Sequence, residues 1–197
     1  CWGMGFPLGK FAMREMDAAH MVLLRFAVAA VAALPFVLGA PDSRALFRSP
    51  MVWAAGVLYG VAFLVQFEGL SHVSVTLAAL LVGLMPALIA VCAWAMGEGV
   101  SRASWMGVAA ATLGAALIAG RPGGAGSVLG VMLSIGSLLI FLAWLVVLKK
   151  APSAKAPMAM PAATVIVAAL AILPIALAMH GPPKLDVSAG AWAGIIG

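Results

Sequence analysis

Residues Lys10 to Trp53 recur without a gap as Lys149 to Trp192. Lys10 maps to Lys149, Pro35 to Pro174 and Trp53 to Trp192, all at one offset (149 − 10 = 139). Between them Val28-Ala29-Ala30 and Leu34-Pro35 return as Val167-Ala168-Ala169 and Leu173-Pro174. Alanine matches weigh little in an alanine-rich chain. Lysine, proline and tryptophan are scarce here, so their common offset weighs much more. Duplication in an apolar chain points to a protein assembled from two copies of one helical unit, as many carriers are.

Hydrophobic residues make up 65% of the chain and charged residues 9%, with a mean hydropathy of +1.17. A soluble domain is nearer half apolar and a quarter charged. A globule of 197 residues has too little interior to hide that much apolar surface, so the bilayer is the expected solvent. The net charge of +5 is then no nucleic-acid footprint, because Lys and Arg fall mainly in short connectors and form no dense patch. Cys1 and Cys92 are far apart and provide neither a disulfide framework nor a metal cluster.

Spanning helices need about 17–25 mostly apolar residues, which divides the chain into eight expected segments. The first is a remnant, Cys1 to Met13, ending at Arg14-Glu15-Met16-Asp17. The next five cover about 19–39, 52–70, 73–97, 105–119 and 129–148. The seventh covers about 158–179, and the eighth opens near Val187. The 139-residue offset carries segment one onto six, two onto seven and three onto eight. A unit of five crossings is odd, so its second copy enters from the opposite side, an inverted repeat. The expected fold class is therefore an all-α membrane protein, a polytopic helical bundle of inverted five-helix repeats. Residues 1–120 are expected to form the first repeat and 121–197 the second. Both ends fall inside apolar stretches, so the chain reads as an internal piece of a protein with ten helices.

Arg44, Arg48, Arg102, Lys149, Lys150 and Lys155 lie in one set of connectors. Lys10, Arg14, Arg121 and Lys184 lie in the other, offset by Glu15, Asp17 and Asp186. The positive-inside rule puts the first set in the cytoplasm. Arg25 lies within segment two and either snorkels or pairs with a carboxylate such as Glu68.

Small residues recur four apart at Gly5/Gly9, Gly56/Gly60, Gly126/Gly130 and Gly190/Gly194, which suits close helix packing. Pro86 interrupts segment four and frees a backbone carbonyl; Pro35 and Pro174 do the same nearer helix ends. Polar groups at membrane depth mark candidate sites. Gln66 lies deeper than Glu68 and is open to cavity lining or helix–helix bonding. Glu68 stands nearer the interface and is the candidate protonatable group. Thr76, Ser134 and Ser137 line a cavity or bond their own helix backbone. Trp2, Phe6 and Trp144 are interfacial belt residues or cavity walls.

Other chemistries find no support. Asp17, Asp42 and Asp186 sit in connectors, so no intramembrane aspartate pair exists for proteolysis. The chain has no Gly-x-Ser-x-Gly elbow, no His-Glu-x-x-His helix, and no Gly-Lys-Ser/Thr ending in its glycine-rich stretch 120–127. His20, His72 and His180 stand near segment ends without clustered ligand partners. No enzyme activity, cofactor or metal is expected.

The stretch Gly69-Leu70-Ser71-His72-Val73-Ser74-Val75-Thr76-Leu77-Ala78-Ala79-Leu80-Leu81, continuing through Met85-Pro86-Ala87-Leu88 to Met96-Gly97-Glu98, resembles the fourth helix of EamA-type carriers of the drug/metabolite transporter superfamily. Ser104-Trp105-Met106-Gly107 with Gly114 resembles that family's fifth helix. Trp2-Gly3, Phe6 and Lys10 resemble its first, and Arg25-Phe26 its second. Ala143-Trp144 before Lys149-Lys150 resembles the opening of its second copy. The resemblance implies ten helices in two inverted repeats and transport of small organic metabolites. It gives Glu98 a structural role at the cytoplasmic end of helix four, although Gly99 stands where the family usually has a basic residue.

Together these readings describe a secondary carrier in a bacterial inner membrane, exporting small metabolites, amino acids or amphipathic compounds by alternating access. Its expected partners are the lipid bilayer and a small organic substrate, with a proton or ion gradient as candidate coupling and no nucleic acid. A non-transporting membrane assembly or regulatory subunit is the competing class. Expected cavity residues are Trp2, Phe6, Gln66, Glu68, Thr76, Ser134 and Trp144, with Pro86 and Glu98 structural.

Overall fold

The computed structural model describes residues 2–119, 126–151, 158–183 and 186–196, with the side chains of 2–4, 111 and 115–119 outside that description. Cys1, Arg121, Lys155, Lys184 and the glycine-rich break 120–124 lie outside the described residues. All regular structure described is α-helix: α1 (Trp2–Ala12), α2 (Ala18–Leu38), α3 (Ser43–Arg48), α4 (Pro50–Ser71), α5 (Val75–Val82), α6 (Met85–Ala95), α7 (Arg102–Ala119), α8 (Val128–Lys150), α9 (Ala159–His180) and α10 (Ala189–Ile196).

Local chemistry sets many of the ends. Pro50 opens α4, where a missing N–H leaves nothing unpaired. Ser74 and Ser127 cap α5 and α8 by accepting the amides of Leu77 at 3.2 Å and Gly130 at 3.0 Å. Lys149 and Lys150 close α8 at the negative end of its dipole. Gly181, at φ +73°, follows α9 in a conformation that other residues rarely adopt.

Among the described residues, five stretches are long and apolar enough to cross a bilayer: Ala18–Leu38, Pro50–Ser71, Val75–Ala95, Val128–Lys150 and Ala159–His180. Helices α1 and α10, at 11 and 8 residues, are too short to cross as they stand. Outward faces carry Val31, Leu38, Met106 and Val128, all strongly exposed, as befits surfaces solvated by lipid. The protein is a polytopic helical membrane protein.

Segment four, expected as one span interrupted by Pro86, is two helices. Pro86 has no N–H for the carbonyl of Val82, and its ring crowds that group; Val82 is the last residue of α5. The Leu84 amide bonds the Leu81 carbonyl at 3.0 Å, a tightened step, before Leu88 restarts the ladder on Leu84 at 3.1 Å. Pro35 and Pro174 leave α2 and α9 continuous. Helix α3, between α2 and α4, was not anticipated, because its six residues carry no long apolar run.

Contacts fix the helix directions. Phe6 faces Phe67, while Lys10 reaches Leu70, Ser71 and Val73, so α1 and α4 run parallel. Gly69 meets Ser134, while Tyr59 stacks on Trp144, so α4 and α8 are antiparallel. Hence α1 and α8 point in opposite directions. Helices α2 and α9 oppose each other directly: His20 meets Gly181, and Ala33 and Val37 pack with Ala159 to Ala163. Gly190 faces Phe11 and Gly194 faces Leu8, so α10 opposes α1 and therefore α4. Every pair of offset-related helices is inverted, as an odd number of crossings demands.

Part of the neighbour pattern obeys the same symmetry, although α2·α4 has no comparable α9·α10 counterpart among the described residues. Exchanging α1 with α8, α2 with α9 and α4 with α10 turns the α1·α10 contact into α8·α4. It turns α4·α9 into α10·α2 and returns α2·α9 to itself, and all these contacts are present. Ser49 and Ser188 (49 + 139 = 188) stand immediately before α4 and α10. One end of the bundle, here the first end, gathers the carboxyl ends of α1, α4 and α9. The second end gathers those of α2, α6 and α8.

Candidate substrate site

An aromatic seam joins α4 to α8. Tyr59, Phe63 and Phe67 recur every four residues on α4, and Phe141 and Trp144 are three apart on α8, so each set lines one face. Tyr59 stacks on Trp144 with centroids 4.7 Å apart, and Phe63 meets Phe141 edge-on at 5.3 Å. From α2, Phe26 closes on Phe63 at 5.4 Å and Tyr59 at 5.5 Å. Phe6 of α1 joins through Phe67 at 6.5 Å. Such pairs contribute roughly 0.5–1.5 kcal/mol each beyond area burial.

Two polar groups are orphaned beside these rings. Arg25 Nη1 and Trp144 Nε1 are both buried with no hydrogen-bond partner. Gln66 is 6% exposed, on the α4 face that also carries Tyr59 and Phe63. An unpaired buried donor costs roughly 1–3 kcal/mol, and more when charged. A core selected for packing alone would favour apolar side chains at these positions.

The expected site residues scatter. Phe6 and Trp144 lie in the aromatic cluster, and Gln66 lies on α4 beside it. Glu68 is turned outward to His72 at 3.5 Å, its side chain 42% exposed, and does not meet Arg25. Thr76 is exposed on α5. Ser134 donates to the Gly130 carbonyl at 2.8 Å and Ser137 to the Ser134 carbonyl at 2.7 Å, both buried at the α4–α8 contact. Pro86 is exposed on α6. Glu98 forms an ion pair with Lys149, tying the α6–α7 connector to the end of α8. The side chain of Trp2 falls outside the description.

Sequence reasoning did not single out Tyr59, Phe63, Phe67 or Phe141, and named Phe26 only within the family resemblance. The signal was present in the four-residue spacing on α4 and in the chain's single tyrosine. Reading α4 against α8 as one seam required knowing that they pack. Arg25 was noticed, and the anticipated pairing with Glu68 is not formed, because Glu68 faces His72. Its guanidinium carbon lies 5.7 Å from the Phe67 ring centroid, a cation–π distance.

The first end is rich in polar contacts. Lys10 donates to the carbonyls of Leu70 at 2.5 Å, Ser71 at 3.2 Å and Val73 at 3.0 Å, capping α4. Glu15 accepts from the Ser188 amide at 2.8 Å and its hydroxyl at 2.5 Å, and these bonds hold its carboxyl below the ordinary value. Asp17 lies 3.8 Å from His20 and 3.6 Å from His180. Around these groups is a cavity of about 440 Å³. Another, of about 640 Å³, lies between α6 and α7 and is lined mainly by apolar groups.

Antiparallel apolar helices joined by a partly buried aromatic seam define a multi-pass helical membrane protein. The sequence profile of the EamA-like transporter family matches residues 1–120, more than half of the 197-residue chain. The chain belongs to that family and is a membrane transporter of the drug/metabolite type. No curated protein matches it.

Proposed function

We propose that this chain forms the central part of a secondary-active exporter of small metabolites, amino acids or amphipathic compounds, acting by alternating access. The observation that carries this reading is the inversion of α1 against α8, α2 against α9 and α4 against α10, with the α2·α9 contact on the symmetry axis. Such a device has two nearly equivalent packings, each open at one end. Residues 1–120 and 121–197 are the proposed rocking units. Arg44, Arg48, Arg102, Lys149 and Lys150 lie at the second end, whereas Lys10 and Arg14 share the first with Glu15, Asp17, Glu68 and Asp186. That imbalance favours a cytoplasmic second end in a bacterial inner membrane.

Phe6, Gln66 and Trp144 are proposed to line the substrate path, with Trp2 extending it along α1. Thr76 and Ser134 supply hydroxyls should the helices separate around them. Glu68 with His72 is the proposed protonatable pair, through which a proton gradient would couple. Full-length protein in proteoliposomes tests the assignment. Gln66→Ala combined with Glu68→Gln is expected to lower substrate flux about tenfold or more. Unchanged flux would remove both residues from the mechanism.

A further inference from the structure

Arg25 lies seven residues into α2, about 10 Å below its amino-terminal end at 1.5 Å per residue. The side chain is half-buried. Its guanidinium lies over Phe67, and a Cβ placed on Gly5 of α1 would stand 3.6 Å from Nη2. Nη1 is sealed from solvent and has no acceptor. No carboxylate among the described residues lies within ion-pair distance, since Glu68 faces His72. An unneutralised guanidinium at this depth is expensive, and the default meaning of such a residue is function.

We propose that Arg25 is the recognition point for the carboxylate of an amphipathic, net-anionic substrate whose apolar or aromatic body lies against the α4–α8 seam. The proposal rests on the carrier reading above and narrows its substrate class. Trp144 Nε1, the second orphaned donor, is the auxiliary contact. The two are bridged by rings: Phe26, next to Arg25 in sequence, packs on Tyr59, and Tyr59 stacks on Trp144.

Charge count selects the class. Lys10 is committed to the carbonyl end of α4, which leaves Arg25 as the single cation among the described residues at this cluster. One guanidinium matches one carboxylate in a two-pronged hydrogen bond; a phosphate dianion would need further cations. The cluster offers no carboxylate for an ammonium group, so a zwitterionic amino acid would bury an unpaired charge. In the conformation seen, Nη1 is closed off, and parting of the repeats would expose it.

The test uses full-length protein in detergent, titrated calorimetrically with indole-3-carboxylate, indole-3-carboxamide and tryptophan. Wild type is expected to bind the carboxylate at least about tenfold more tightly than the other two. Arg25→Met is expected to abolish that preference and Arg25→Lys to retain part of it. Equal wild-type affinities, a preference unchanged in Arg25→Met, or no binding of any of the three overturns the proposal. Thermal unfolding supplies a second readout. Arg25→Met is expected to melt at or above wild type, because an orphaned charge is gone; a clear fall marks Arg25 as a packing element instead. If Arg25→Met does not fold, Arg25→Gln decides by the same titration. Flux of the three compounds in proteoliposomes separates the two readings. Carboxylate-selective binding without flux overturns the carrier reading alone, and flux indifferent to charge overturns the Arg25 site alone.

Discussion

Gly69 shows how a missing side chain shapes this bundle. A Cβ there would stand 2.8 Å from Ser134 Oγ and 3.0 Å from the Ser134 backbone nitrogen. The nitrogen belongs to α8 itself, so a larger residue must push the helices apart. Gly69→Val is expected to lower stability by about 1–3 kcal/mol, the usual cost of overpacking, read as a lower melting temperature in detergent. Gly136 lies on α8 with nothing within 4 Å of its would-be Cβ. Gly136→Ala should raise stability by about 0.5–1 kcal/mol, because alanine loses less backbone entropy in a helix. If the two substitutions destabilise equally, close approach of α4 and α8 is not what Gly69 provides. Lipid tails are as apolar as the side chains, so packing of this kind, rather than water exclusion, holds such helices together.

At the scale of elements, most of the architecture was legible in the sequence. Apolar run length marked the spans, because the bilayer imposes one minimum length on every crossing. The recurring small residues also landed on contacts, with Gly56 and Gly60 against α9 and Gly190 and Gly194 against α1. What escaped was whatever depends on two elements at once. The orphaned state of Arg25 follows from Glu68 facing His72 one turn along its own helix, a choice no spacing reveals. The aromatic seam likewise needs the α4–α8 register. Pro86 was legible as a break, and its consequence is testable. Pro86→Ala restores an N–H for the Val82 carbonyl and relieves the ring clash, worth up to about 3 kcal/mol. Hydrogen exchange of amides 83–85 is expected to slow by at least tenfold as α5 and α6 merge. Unchanged exchange would mean that packing, not proline, sets the break.

For the whole molecule, the two ends are held differently, although the second end also carries the Glu98–Lys149 ion pair. The second end joins α2, α3, α4 and α9 through an apolar cluster including Val37, Leu46, Val52 and Ala163. The first end joins the repeats through polar contacts: Glu15 with Ser188, Asp17 with His180, and His20 with the Gly181 carbonyl at 2.9 Å. The duplication does not extend to this latch. The offset partners of Glu15 and His20 are Ala154 and Ala159, so only one end carries it (15 + 139 = 154; 20 + 139 = 159). A pH dependence follows for its Glu15 contact. Ser188 holds the Glu15 carboxyl below the ordinary value of 4.5 by hydrogen bonds to the ionised form. The contact therefore contributes fully above that value, and its contribution is lost as pH falls through the lower folded value. Glu15 is fully exposed, so water screens the effect and global stability should move little. Local exchange is the sensitive measurement. Protection of the Ser188 amide, relative to amides in the middle of α9, is expected to be steady near neutrality and to fall under acid conditions below pH 4.5. Glu15→Gln should give weaker protection with no acid step. An acid step of equal size in that variant would leave Glu15 out of the latch.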